Sequence, residues 1–96
     1  MTIEIDHDGY PTEASIEELR RCTNVLEALE AVAVYFGSCG YGSVTKLGRV
    51  YRLATGGWSG CEEVMGSLHP IVRAVAWESS HRGGLHVFEV PSWVEL

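Results

Sequence analysis

The sequence predicts a two-layer α+β domain, with a long N-terminal amphipathic helix and a short helix packed on a three- to four-stranded, mainly antiparallel sheet. Three observations predict it. A helical apolar period runs through the first third of the chain, and short β-rich runs bounded by glycine fill the second half. The third is size: 96 residues suffice for one domain, read as 1–96. A content of 46% hydrophobic and 21% charged residues is that of a chain that folds rather than stays disordered.

The elements follow in order. Residues 2–6 alternate Ile3 and Ile5 with polar neighbours, and Asp8-Gly9 supplies a turn, so a short strand or ordered arm begins the chain and is a candidate fourth strand. Ser15-Ile16-Glu17-Glu18 has capping-box spacing, in which the serine oxygen takes an orphan helix N–H and the glutamate reaches back. From there Leu19, Cys22, Leu26, Leu29, Ala33 and Phe36 recur at helical spacing, widened by Val25 and Val32, until Gly37. This predicts one helix over residues 16–36. Residues 37–48, with Gly37, Gly40, Gly42 and Gly48, read as a loop and a natural hinge.

Residues 49–54 mix β-branched, aromatic and arginine side chains, which suits a strand near a sheet edge. Ser59-Gly60-Cys61-Glu62 repeats the capping-box spacing and opens a helix over 60–69, which His69-Pro70 is expected to stop. His69 would then face the carbonyls at that helix's C-terminus. Residues 71–77 form a nearly continuous apolar run and read as a central strand paired with residues 85–90. Gly83-Gly84, or the four residues 81–84, would connect them; either loop is even and places odd positions of one strand beside even positions of the other. Glu78 and Glu89 would then share a face and need solvent or an arginine between them.

Function is harder to read. The net charge of −6 is concentrated before residue 41, where eight acids face only Arg20 and Arg21. Such a balance argues against a nucleic-acid partner, which calls for a basic surplus. No apolar run reaches membrane-spanning length and the first residues lack a signal peptide's pattern, so the expectation is a cytoplasmic protein with no membrane partner. Cys22, Cys39 and Cys61 fit neither a disulfide framework nor a zinc site and read as free, largely buried thiols. The four histidines lack metal-ligand spacing, so no metal and no cofactor are expected.

The candidate ligand site is the glycine-rich turn of Gly56, Gly57, Trp58, Ser59 and Gly60, which leads into a helix N-terminus, with Arg52 and Arg82 as nearby cations. Free N–H groups and the helix dipole attract anions, so an anionic metabolite or nucleotide is the expected ligand there. Against it, the turn matches no phosphate-loop pattern, and Glu62 and Glu63 oppose an anion. Arg82 is also a candidate to join Arg49, Arg52 and Arg73 in a cationic cluster. Ser79-Ser80-His81-Arg82 places serine beside histidine, but consecutive residues rarely achieve nucleophile–base geometry, so no catalytic residue is assigned and the segment reads as a hairpin tip. Trp93, Val94 and Leu96 give an apolar tail that would dock on its own sheet or on another copy, and the small core favours a homo-oligomer.

Residues 51–63, with Gly-Gly-Trp-Ser-Gly at 56–60, and residues 77–84, ending in Arg-Gly-Gly, occur in an order followed by Phe88-Glu89-Val90-Pro91. Over residues 41–91 this pattern resembles a group of small, uncharacterised proteins of tailed bacteriophages, in which asparagine is frequent where this chain has Cys61. The resemblance implies a phage accessory protein acting in the host cytoplasm. Together with the missing catalytic constellation, it makes a non-enzymatic module that binds and modulates a host protein the leading expectation, with the acidic helix surface as one candidate contact.

Overall fold

A computed structural model describes residues 1–94. Four helices, α1 (Glu13–Arg21), α2 (Val25–Ser38), α3 (Ser59–Gly66) and α4 (Pro70–Val75), accompany four strands, β1 (Ser43–Leu47), β2 (Val50–Ala54), β3 (Trp77–His81) and β4 (Leu85–Glu89). The strands form one antiparallel sheet in the order β1-β2-β4-β3. The two-layer α+β expectation holds: Tyr51, Leu53 and Phe88 of the sheet's inner face are fully buried with Leu19, Leu29, Val32, Phe36, Val64 and Val72 of the helices in one core. The opposite face is open, with Arg52 exposed and Leu47 71% exposed.

The helix expected over 16–36 is two helices. Asn24 accepts the Glu27 N–H on its side chain at 2.9 Å and caps α2, while Cys22 is already extended. A short polar side chain that bonds its own backbone competes with the helix, and here it ends one helix and starts the next. The break re-aims the stripe: Val25, Ala28, Leu29, Val32, Tyr35 and Phe36 are buried, whereas Cys22, Leu26 and Ala33 are half-buried. The first helix also begins earlier. Thr12 is its cap, accepting from the Ser15 N–H at 3.3 Å, and the buried Ser15 instead accepts the Glu4 N–H at 2.8 Å, tying the N-terminal arm to α1.

That arm does not join the sheet. Ile5 and Pro11 form one isolated antiparallel bridge around a turn in which Asp6 Oδ1 accepts from the Asp8 and Tyr10 N–H groups. The fourth strand comes from the expected loop, as β1. Its partner β2 follows through the two residues Gly48 and Arg49, Gly48 taking φ +57° as tight hairpins require. In consequence β2 is interior rather than an edge strand.

The largest correction concerns residues 71–77. The helix expected over 60–69 ends at Gly66, with Ser67 as its C-cap; His69 instead accepts the Ile71 N–H on its Nδ1 at 3.0 Å and caps a new helix, α4, with Pro70 in its first turn. Proline stops one helix and starts another with equal ease, because the N–H it lacks is an orphan in a first turn. The strand begins only at Trp77 and lies at the sheet edge, not its centre. Its hairpin loop is the three residues Arg82, Gly83 and Gly84, since His81 pairs with Leu85. An odd loop pairs odd with odd, so Ser79 opposes Val87 and Trp77 opposes Glu89. Glu78 shares its face with His86 and Phe88, and Glu89 lies on the other.

At the C-terminus Arg49 donates to the carbonyls of Pro91 (2.5 Å) and Val94 (2.7 Å), and Val94 packs on the core. The tail is therefore docked on its own chain through Val94, although Trp93 is 72% exposed. Leu96, the tail's other apolar residue, lies outside the described residues. Among the described residues no helix is long and apolar enough to cross a membrane.

Candidate functional site

The 56–60 turn is built by Thr55, the last buried residue before it. Thr55 Oγ1 accepts the Gly57 N–H at 3.2 Å, its carbonyl accepts the Trp58 N–H at 3.1 Å, and its own N–H donates to the Gly84 carbonyl at 3.0 Å. Gly56 and Gly57 take φ +63° and +76°, and a methyl on Gly56 would stand 2.6 Å from the Tyr41 carbonyl. The chain thus turns sharply enough to set Trp58 at the N-cap of α3.

Trp58 is half-buried between two tyrosines. Its ring centroid lies 4.9 Å from that of Tyr10 and 4.4 Å from that of Tyr41, distances typical of offset aromatic packing. Glycines make room for it: a methyl on Gly9 would come within 3.3 Å of the indole, and one on Gly60 within 2.6 Å of it and 2.8 Å of the Tyr35 hydroxyl. Tyr10 OH and Ser59 Oγ are hydrogen-bonded at 2.7 Å, and the Tyr35 hydroxyl donates to the Gly9 carbonyl at 2.9 Å. Two loops far apart in sequence and one helix start therefore share a single aromatic cluster, with Tyr41 59% exposed on its outer side.

The electrostatics of this cluster are acidic. Asp6, Asp8, Glu62 and Glu63 are exposed on the elements that carry it. Burial pushes the Tyr35 phenol far up, and Cys39, Cys61, Glu63 and Asp6 add to the shift. An anion at the turn would meet those charges, and two of the turn's N–H groups are already taken by Thr55.

Arg52 and Arg82, the sequence's candidate cations for this turn, make no hydrogen bond to it among the described residues. Arg52 is exposed on the open sheet face and Arg82 on the hairpin loop. The four-arginine cluster does not assemble either. Arg49 and Arg73 alone line a common cleft of about 750 Å³, together with Glu78, Glu89 and residues of the C-terminal segment. Both guanidiniums serve the fold: Arg49 holds the tail, and Arg73 pairs with both Glu78 oxygens (2.7 and 2.6 Å) and bonds the Met65 carbonyl. Arg73 thus partners Glu78, although the shared face with Glu89 that called for a partner does not form.

Two serine–histidine contacts exist. Ser79 Oγ lies 3.2 Å from His81 Nε2 on the open face, and Ser80 Oγ lies 3.3 Å from His86 Nδ1. Glu78 approaches the same His86 nitrogen, at 3.7 Å. A relay needs the acid and the nucleophile on different ring nitrogens, so this arrangement does not pass a proton from serine to glutamate. The aromatic cluster was missed in the sequence because Tyr10 and Tyr41 are distant from Trp58; the one available signal was that each adjoins a glycine, as Trp58 does.

No family model, curated protein or solved structure matches the chain.

Proposed function

We propose that the protein is a small phage accessory protein, a non-enzymatic interaction module that binds and modulates a host protein through the Tyr10–Trp58–Tyr41 cluster, and that the bound segment is basic. The observation that carries this is an aromatic group with one open ring, Tyr41, on elements that also expose Asp6, Asp8, Glu62 and Glu63. Aromatic faces attract arginine and lysine, and flanking carboxylates supply both steering and charge-assisted hydrogen bonds. Tyrosine and tryptophan held by packing also lose little freedom on binding. The sequence resemblance over residues 41–91 supports the phage origin, and that origin is what makes a host protein the partner to look for.

The test is site-specific photo-crosslinking from position 41 in host lysate, followed by calorimetric titration of each purified captured protein. A partner binding through an arginine- or lysine-rich segment is expected, weakened roughly tenfold by Tyr41→Ala, the scale of one partly desolvated cation–π contact. Raised salt should weaken it further. A partner whose affinity is unchanged by Tyr41→Ala and by Glu62→Gln/Glu63→Gln would refute the assignment.

A further inference from the structure

Cys39 and Cys61 are 22 positions apart, yet their sulfurs lie 3.7 Å from each other. Each is held by a helix end. Cys39 is the C-cap of α2, its N–H bonded to the Tyr35 carbonyl, and Cys61 stands in the first turn of α3. Gly42 lines the same spot: a methyl there would meet the Cys61 sulfur at 2.8 Å, so only a residue without a side chain leaves that sulfur its place. A disulfide has sulfurs about 2.05 Å apart, so the two facing sulfurs must approach further for a bond to form. Cys39 is half-buried and Cys61 fully buried.

We propose that Cys39 and Cys61 are a thiol-oxidation site, which a low-molecular-weight disulfide converts to an intramolecular bond between α2 and α3. Cys39, the accessible thiol, loses its proton and attacks one sulfur of the reagent; that S–S bond breaks and the first small thiolate leaves and is protonated. Cys61 then gives up its proton and attacks the Cys39 sulfur, forming the protein disulfide and releasing the second small thiol. Two protein thiols are oxidised and one external disulfide is reduced, so two electrons and two protons pass to the reagent. Burial keeps Cys61 out of the reagent's reach, so Cys39 reacts first and Cys61 resolves; the same burial pushes the Cys61 pKa up to about 12, so its thiolate is scarce and the second step is the slow one. The bond would tie the Gly40–Gly42 segment, which carries Tyr41, to the helix that starts at Trp58. The inference does not depend on which partner the aromatic face takes.

The test uses the full chain with Cys22→Ser, exposed to graded mixtures of oxidised and reduced glutathione, alkylated and digested with trypsin. Residues 22–46 and 53–73 then carry one thiol each. The expected result is loss of both thiols and recovery of the two peptides as one species that dithiothreitol separates. With Cys61→Ser added, the reaction should stop at a glutathione adduct on Cys39. Recovery of both thiols in alkylated form at ratios that oxidise a thioredoxin-type dithiol control overturns the proposal, and so does a stable glutathione adduct on Cys39 while Cys61 remains present.

Discussion

Gly84 is where the hairpin between β3 and β4 meets the turn that presents Trp58, and replacing it with alanine isolates that joint. Its φ is +79°, and an added methyl carbon would lie 2.2 Å from Thr55 Oγ1. Thr55 has no room to retreat. It is fully buried, its Oγ1 holds the Gly57 N–H and its N–H holds the Gly84 carbonyl. A left-handed backbone costs an L-residue about 1–2 kcal/mol. Overpacking adds roughly 1–3 kcal/mol, and a displaced hydrogen bond about 1 kcal/mol. Gly84→Ala should therefore lose roughly 3–6 kcal/mol, a large share of the 5–15 kcal/mol typical of domains. Gly83 is the internal control, because its φ is +83° but a methyl there meets nothing within 4 Å. Gly83→Ala should show the backbone cost alone, about 1–2 kcal/mol. Urea unfolding followed by circular dichroism gives both midpoints, and the slopes should agree. Adding Thr55→Ala to Gly84→Ala should make the double variant less unstable than the sum of the singles, since the colliding oxygen is gone. Equal losses at Gly83 and Gly84, or strict additivity with Thr55→Ala, would refute the claim that this contact fixes the joint.

Asn24→Ala should destabilise the protein by about 1 kcal/mol, the usual cost of a lost N-cap, while Asn24→Ser retains most of it; urea midpoints decide. Glu30 bonds Lys46 and the Tyr51 hydroxyl, and both hold its carboxyl below the ordinary 4.5. Because the folded value is depressed, its stabilisation is present above pH 4.5 and disappears as pH falls through the folded value; Glu30→Gln should flatten that part of an acid-unfolding curve by less than about 1 kcal/mol, as the pair is half-exposed. The Cys61 thiol behaves oppositely. Its folded pKa is raised from 9.0 to about 12, so the unfolded chain releases this proton first and stability declines between those values, a slope that Cys61→Ala should reduce in alkaline unfolding measurements.

Local chemistry in the sequence determined the fold class, the apolar stripes of the helices, the turn at Asp8-Gly9, and the strands around residues 50–54 and 85–89. Those features depend on period and glycine within a few residues of each other, and such interactions survive whatever the rest of the chain does. The structure decided what depends on competition or on distance. Asn24 could cap a helix or ride within one, and packing of two shorter helices on the sheet selected the cap. His69-Pro70 could end a helix or begin one, and it begins α4, the preceding helix having closed at Gly66, which displaced the strand to Trp77 and its edge. One residue of loop length separated Glu78 from Glu89, because strand faces alternate with a period of two. Strand order was beyond local reading for the same reason that β1 was: the pairing energy of Ser43–Leu47 exists only once β2 lies beside it. The candidate site follows that rule most strongly. Trp58 announced itself between glycines, but Tyr10, Tyr41 and the facing sulfurs of Cys39 and Cys61 are neighbours only in space, where burial of the core draws the N-terminal arm, the end of α2 and the start of α3 together.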